Sequence, residues 1–281
     1  MNVADYYDSN TRRFLKFGRL GGMGVVHRGV WGPGVADAEA AAHYVHDRIV
    51  ADLRSTPGPL EQGIDLGCGV GASMVRIGEQ LGASISGITI SATQAEIAHD
   101  RLTRLPPESA NRYAVKAGDF CKAQAYESLP ETSVDFAYFI ESFVHATDTA
   151  ELWRLVSSRL RPGARVYICD DFLGLAPEGP SERIILDNYR RGWHINTLIS
   201  PGELESLLRE HGVVRENSIN LTPHLKLNRF RDRMIRLAVP LLRPVGRDRP
   251  WWDNMLGGDA LQRALSKDLI HYRLEIFEYR P

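Results

Sequence analysis

Two groups of residues in this 281-residue chain have types and spacings that support chemistry. The first is Asp65-Leu66-Gly67-Cys68-Gly69-Val70-Gly71, an acid ending an apolar run, then three glycines at alternate positions. Glycine lets the backbone come close to whatever lies above it, an approach that a side chain would block. Such a turn suits an adenosine cofactor, or serves as a bare strand-to-helix turn, and alone it does not choose among them. The second group is acidic: Glu141, His145 four residues on, and the pair Asp170-Asp171. A carboxylate or imidazole of this kind accepts a proton. His145 is expected about one helical turn beyond Glu141, on its face and able to orient it. Glu141, Asp170 and Asp171 also suit a Mg²⁺ ion, which prefers hard oxygen ligands.

Basic and aromatic residues surround these groups in the sequence. Arg12-Arg13, His27-Arg28, Arg190-Arg191 and Lys226 with Arg229 would complement a phosphate-like head by charge-assisted hydrogen bonds, or lie on a solvated surface. Tyr6, Tyr7, Phe14, Phe17, Trp31 and Trp193 offer faces for packing or for a cation.

The elements that must position them follow a βα alternation. The expected strands are 63–66, 84–89, 114–117, 134–140, 165–170 and 213–221, with a period-two strand at 270–279. Helices are expected over 37–53 and 203–211, the latter started by Ser200-Pro201 and Glu203. Residues 5–34 read as a helical entry with a loop, 188–195 as a loop, and 225–242 as an arginine-rich helix leading to Trp251-Trp252. The alternation implies an α/β fold: a Rossmann-like, doubly wound, mostly parallel seven-stranded sheet with an antiparallel last strand. Helical N-terminal and inserted cover segments complete it. A single domain is expected, with a cover at 1–59, a core at 60–171, and an acceptor-side half at 172–281 carrying the insertion at about 225–258.

The second strand narrows the cofactor. A nicotinamide fold would place an acid about 20 residues after the glycine turn to hold the ribose hydroxyls. Here the strand ends Gly87-Ile88-Thr89-Ile90-Ser91, followed by Gln94, so Thr89, Ser91 and Gln94 are assigned to that work, Ser91 and Gln94 serving equally as a capping box. The segment 87–94 resembles the GITLSxxQ segment of methyltransferases related to cyclopropane fatty acid synthases, sterol C-methyltransferases and tocopherol methyltransferases. Gly118-Asp119-Phe120, Glu141 through His145-Ala146, and Leu160-Arg161-Pro162-Gly163 are similar to the adenine-side, ExxxHA and LKPGG segments of that group, and Tyr6-Tyr7-Asp8 resembles its YYD entry. Val26 to Gly32 is similar to its IHxGxW segment.

The resemblance implies S-adenosylmethionine as cofactor. Asp65, Gly67, Gly69, Gly71, Thr89, Ser91, Gln94, Asp119, Phe120 and Glu141 are expected around it, and Glu141, His145, Asp171 and Tyr7 at the reaction centre. In overall organisation the chain is similar to bacterial C-methyltransferases that act on geranyl or farnesyl diphosphate. That likeness implies methylation of an alkene carbon followed by proton loss, with Mg²⁺ as an optional second cofactor. Tyr6, Arg12, His27, Arg28, Trp31, Arg190, Trp193, Lys226 and Arg229 would then face the acceptor. N- or O-methylation of another small natural product is the alternative, with Glu141 or His145 taking the proton from the nucleophile. A sensor that binds the nucleoside without turnover is a third reading.

Composition excludes other classes. A net charge of −1 gives no pull toward nucleic acid, and the partner expected is a small apolar molecule with an anionic head, with room for a homo-oligomer. Three separated cysteines without CxxC spacing read as reduced thiols. No apolar run of about 18 residues or basic start suggests stable membrane insertion or export, so a cytoplasmic protein is expected.

Overall fold

The computed structural model describes residues 3–17, 24–129, 132–227 and 250–281, with side chains left undescribed at 13, 14, 16, 17 and 250–254. Arg229, most of the 225–242 helix, and the side chains of Arg13, Phe14, Phe17, Trp251 and Trp252 lie outside what is described.

Seven strands form one sheet: β1 (Gln62–Leu66), β2 (Ser84–Thr89), β3 (Tyr113–Ala117), β4 (Val134–Ile140), β5 (Leu160–Leu173), β6 (Val213–Asn220) and β7 (Ile270–Tyr279). Their order is β3-β2-β1-β4-β5-β7-β6. β7 runs antiparallel to both β5 and β6, and the other pairings are parallel. The topology is the Rossmann-like one expected, and β5 extends beyond the 165–170 core read from sequence.

Among the described residues the α-helices are α1 (Val3–Phe17), α2 (Ala38–Ser55), α3 (Ala72–Leu81), α4 (Ala92–Leu102), α5 (Pro107–Ala110), α6 (Thr149–Ser157), α7 (Pro180–Trp193), α8 (Pro201–Arg209) and α9 (Pro250–Ser266). β4 is buried along its whole length, as befits a central strand covered on both sides. Its Phe136, Tyr138 and Ile140 join Val45, Ile49 and Met74 of α2 and α3 in one core. The alternate Ala137 and Phe139 join Trp153 of α6 and Leu204 of α8 in the other. Among the described residues no helix is long and apolar enough to cross a membrane.

One element departs from expectation. Residues 188–195 are not a loop: α7 starts at Pro180 in the first turn and ends at His194 in a left-handed cap. Helical periodicity buries Ile185, Leu186 and Tyr189, and turns Arg190 and Arg191 to solvent.

Candidate functional site

At the β1/β4 crossover the strand order reverses, and the carboxyl ends of the strands open a cavity of about 1090 Å³. Open α/β sheets hold ligands at this point. The turn after β1 is pinned when the N–H groups of Gly67 and Cys68 both donate to the Ile88 carbonyl, at 2.8 and 2.9 Å. Gly67 has a φ of 102°, and a Cβ there would lie 2.2 Å from Cβ of Ser142. Gly69 also has positive φ, but a Cβ on it would meet nothing nearer than Gln94 Oε1 at 4.0 Å, because it faces the cavity. The first glycine is required by packing, the second keeps a cradle open.

Asp65 closes β1 beneath this turn. Burial pushes its carboxyl up to about 8, with the Tyr138 hydroxyl opposing the rise, and Oδ2 has no hydrogen bond within the chain. Thr89 donates to Gln94 Oε1 at 2.7 Å, and both side chains line the cavity. Asp119 and Phe120 line it further along β3's end, Asp119 also accepting from the Cys121 N–H at 2.8 Å as a turn acid does. A buried acid with one oxygen left without a hydrogen bond, an open glycine face and a hydroxyl–amide pair fit an adenosine cofactor with a charged amino-acid tail. Ser91 is placed differently. Its hydroxyl caps α4 by accepting from the Gln94 N–H at 3.1 Å and donates to Asp8 at 2.5 Å, and it does not line the cavity. Asp8, whose part sequence alone did not reveal, also accepts from the Thr93 N–H at 3.1 Å, fastening α1 across the cofactor end.

The acids form a different network from the one expected. Glu141 ends β4 with a φ of 54°, a left-handed conformation costing on the order of 1–2 kcal/mol outside glycine. Arg28 holds it there: the backbone N–H and Nε of Arg28 both donate to Glu141 Oε1 at 2.9 Å. The guanidinium's two terminal nitrogens meet Asp171 at 2.9 Å each, and its plane lies 4.1 Å from the ring centre of Tyr272. Tyr189 donates to the same Asp171 at 2.5 Å. Burial alone would raise Glu141, and Arg28 and His27 beside it hold its carboxyl below the usual range. Asp170 accepts from the N–H groups of Asp171 and Val144, yet burial and the neighbouring acids push it up to about 8.

The oxygens of Asp170 accept from the Asp171 and Val144 N–H groups, and those of Asp171 from Arg28 and Tyr189, so the two acids are held within the protein's own network. Among the described residues no cluster of three histidine, cysteine or acidic side chains is arranged to hold a metal.

His145 does not orient Glu141. It sits in a short 3₁₀ turn, and its Nδ1 lies 3.1 Å from the His194 carbonyl while Nε2 lies 2.9 Å from the Tyr7 hydroxyl. A carbonyl only accepts, so Nδ1 carries the proton, Nε2 is bare and Tyr7 donates to it. Burial lowers His145 to about 4, so the ring is neutral at physiological pH. Both Tyr7 and His145 line the cavity.

On the acceptor side, His27, Trp31, Trp193 and Lys226 line the cavity, with the Lys226 ammonium over the Trp31 ring. Tyr6 is buried against His194 and Tyr7 rather than on the lining. Arg12 and Arg190 are exposed and off the lining, Arg190 because it stands on the solvent face of α7 instead of in a loop. Leu225, Leu227, Leu261 and Leu265 supply an apolar wall that no sequence motif signalled.

Comparison with known proteins agrees with this geometry. A methyltransferase domain model matches residues 64–166, from β1 into β5. The O-methyltransferase cnsE of Penicillium expansum is 30% identical over 235 residues, covering 80% of this chain and 78% of that protein. The O-methyltransferase rstn1 of Aspergillus nomiae is 32% identical over 213 residues, 73% of this chain and 88% of the relative. Among solved structures, geranyl diphosphate C-methyltransferase of Streptomyces coelicolor A3(2) superposes with a TM-score of 0.67 at 18% identity, covering 99% of this chain and 96% of that one. The last is a likeness of fold alone. With the crossover cavity, the glycine cradle and these relatives in agreement, the chain belongs to the S-adenosylmethionine-dependent methyltransferases of the class I fold.

Proposed function

We propose that this enzyme methylates a hydroxyl oxygen of a small, largely apolar molecule, with His145 as the general base. The observation that carries the reading is the His145 ring itself. It is half-buried on the cavity lining, fixed as the Nδ1–H tautomer by the His194 carbonyl, and its unprotonated Nε2 accepts from the Tyr7 hydroxyl. S-adenosylmethionine, when bound, supplies an electrophilic methyl whose bonding pair stays with sulfur. Gly69, Thr89, Gln94, Asp119 and Phe120, which line the cavity, would hold it, with Asp65 buried beneath the turn. An acceptor hydroxyl takes the place of the Tyr7 hydroxyl beside Nε2, and its proton passes to that nitrogen as the oxygen gains the methyl. Trp31, Trp193, Ile195, Leu225, Leu227 and Leu261 seat its apolar body and exclude water. Lys226, exposed at the rim, suits an anionic substituent. The fungal O-methyltransferase relatives support the reading.

The test is His145→Ala in single-turnover assays, expected to slow methyl transfer by about 10²–10⁴-fold, the usual worth of a positioned base. An effect under about threefold would remove His145 from the role.

A second reading, C-methylation of a prenyl diphosphate with Glu141 taking the proton, is favoured by the rings of Trp31, Tyr189 and Trp193 around the cavity. The cations support it less. Arg28 is engaged by Glu141 and Asp171, and Arg12 and Arg190 stand off the lining.

A further inference from the structure

Lys226 is a charge on the cavity lining that methyl transfer itself leaves unused. It follows β6, between Leu225 and Leu227, and all three residues line the cavity. Its ammonium lies over the ring of Trp31, and among the described residues no carboxylate pairs with it. The contact is built into the backbone: the Trp31 N–H donates at 2.8 Å to the carbonyl of His224, close to Lys226 in the chain. Val30 is tied in turn to α2, its N–H donating to the Ala41 carbonyl at 2.9 Å.

An indole face attracts a cation without neutralising it. The ammonium therefore has no counter-charge, and it takes an anion as a charge-assisted hydrogen-bond partner with no ion pair to break first. The other basic groups of the lining differ. Arg28 commits its donors to Glu141 and Asp171, and burial keeps His27 and His145 neutral. Among the described lining residues Lys226 is the one cation open to a ligand, and a single compact ammonium matches a carboxylate better than a diphosphate.

The cofactor does not supply that anion. Gly69, Thr89 and Asp119 mark its end of the cavity, at the ends of β1, β2 and β3, whereas Lys226 follows β6 at the opposite edge of the sheet. Trp193, Ile195, Leu261 and Leu265 share the lining with Leu225 and Leu227 and give the body of an acceptor an apolar seat.

We propose that the acceptor is a hydroxylated carboxylic acid with an apolar body, and that Lys226 binds its carboxylate from the face of Trp31. The hydroxyl rests on the reading of His145 given above; the carboxylate rests on Lys226. His145 follows β4 and Lys226 follows β6, with β5 and β7 between them in the sheet, so the two polar groups sit on separated parts of the molecule.

The experiment is calorimetric titration of the S-adenosylhomocysteine complex at neutral pH with two acids, each against its neutral carboxamide. The acids are a hydroxynaphthoate bearing its two groups on opposite rings and an ω-hydroxydodecanoate. Each acid is expected to bind about fivefold tighter than its amide, the worth of a part-exposed charge pair, and the difference fades in added salt. Lys226→Arg keeps the preference, Lys226→Met abolishes it by weakening the acid, and Lys226→Glu reverses it. Acid and amide within about twofold of each other, no binding of either acid, or a preference that survives Lys226→Met overturns the proposal. So does geranyl diphosphate that binds tighter than both acids and weakens in Lys226→Met, which assigns the cation to a diphosphate. Adding S-adenosylmethionine separates the proposal from the reading it rests on. An acid held through Lys226 but not methylated on oxygen keeps Lys226 in its role and removes His145. Equal binding and O-methylation of acid and amide does the reverse.

Discussion

Arg28→Met is the perturbation with the most to reveal about how the site is held. Arg28 donates through Nε to Glu141 and through both terminal nitrogens to Asp171, each at 2.9 Å. The methionine would remove the guanidinium that lies over Tyr272 and leave both acids without their cation. The Asp171 side chain is only 3% exposed, so this arm behaves as a buried pair, and breaking one costs about 3–5 kcal/mol. Glu141, at 22%, is wetter and adds no more than about 1 kcal/mol. The Tyr189 hydroxyl remains on Asp171 and returns part of the loss, giving a net near 4 kcal/mol. At roughly 2–4 °C per kcal/mol for a chain of this size, the melting temperature should fall by about 8–16 °C.

Urea unfolding at neutral pH, read by circular dichroism, measures the loss directly. The double variant Arg28→Met/Asp171→Asn should recover more than half of it, because the cost lies in the stranded charge more than in the missing bonds. A loss under about 1 kcal/mol, or a double variant whose losses simply add, refutes the reasoning.

If, as proposed, an acceptor hydroxyl takes the phenol's place beside His145, Tyr7→Phe should keep methyl transfer within about tenfold of the unaltered enzyme; rapid-quench kinetics would show a larger loss if Tyr7 relays the proton. At saturating cofactor, the pH profile of kcat/KM should stay flat through neutrality and fall only as pH approaches about 4, where His145 gains a second proton. An acidic limb near the ordinary histidine value would contradict the buried setting of that ring. Asp65, raised to about 8, is neutral in the folded chain at pH 7 and charged in the unfolded chain. Its stabilising contribution is complete below the ordinary carboxyl range and is lost as pH rises through about 8. Asp65→Asn should flatten the decline of melting temperature with rising pH, and an unchanged slope in scanning calorimetry would show that Asp65 is not its source. Gly67→Ala, forced to positive φ and against Ser142, should abolish cofactor binding in calorimetry while Gly69→Ala only weakens it.

The sheet was legible because its signals are local. β2 and β4 were bounded as they occur, and β1, β3 and β6 to within one residue, from apolar runs and the glycine turn. Thr89, Gln94, Asp119 and Phe120 were placed at the cavity by short motifs on those strands. What escaped was made by contacts between distant segments. Nothing in the spacing of Arg28, Glu141 and Asp171 says that one guanidinium joins them, and so the acids were read as a base or a metal site. His145 was assigned to Glu141 on helical spacing, but the left-handed Glu141 breaks any helix there, and the ring turns to α1 instead. Ser91 was read twice, as cap and as ribose ligand, and capping is where its hydroxyl goes. Residues 188–193 belong to α7 because Pro180 starts that helix and Ile185, Leu186 and Tyr189 recur at helical spacing, signals that lie mostly ahead of the segment itself.

Methylation at oxygen, as proposed above, is decided by the atom that receives the methyl. Incubation with S-adenosylmethionine labelled at the methyl with ¹³C, against phenolic and alcoholic acceptors together with geranyl and farnesyl diphosphate, followed by carbon NMR of the products, reads the methylated atom directly. A labelled methyl on oxygen, formed at neutral pH and lost in His145→Ala, is the predicted result. A labelled methyl on carbon of a prenyl diphosphate, with no O-methylated product, would contradict the account.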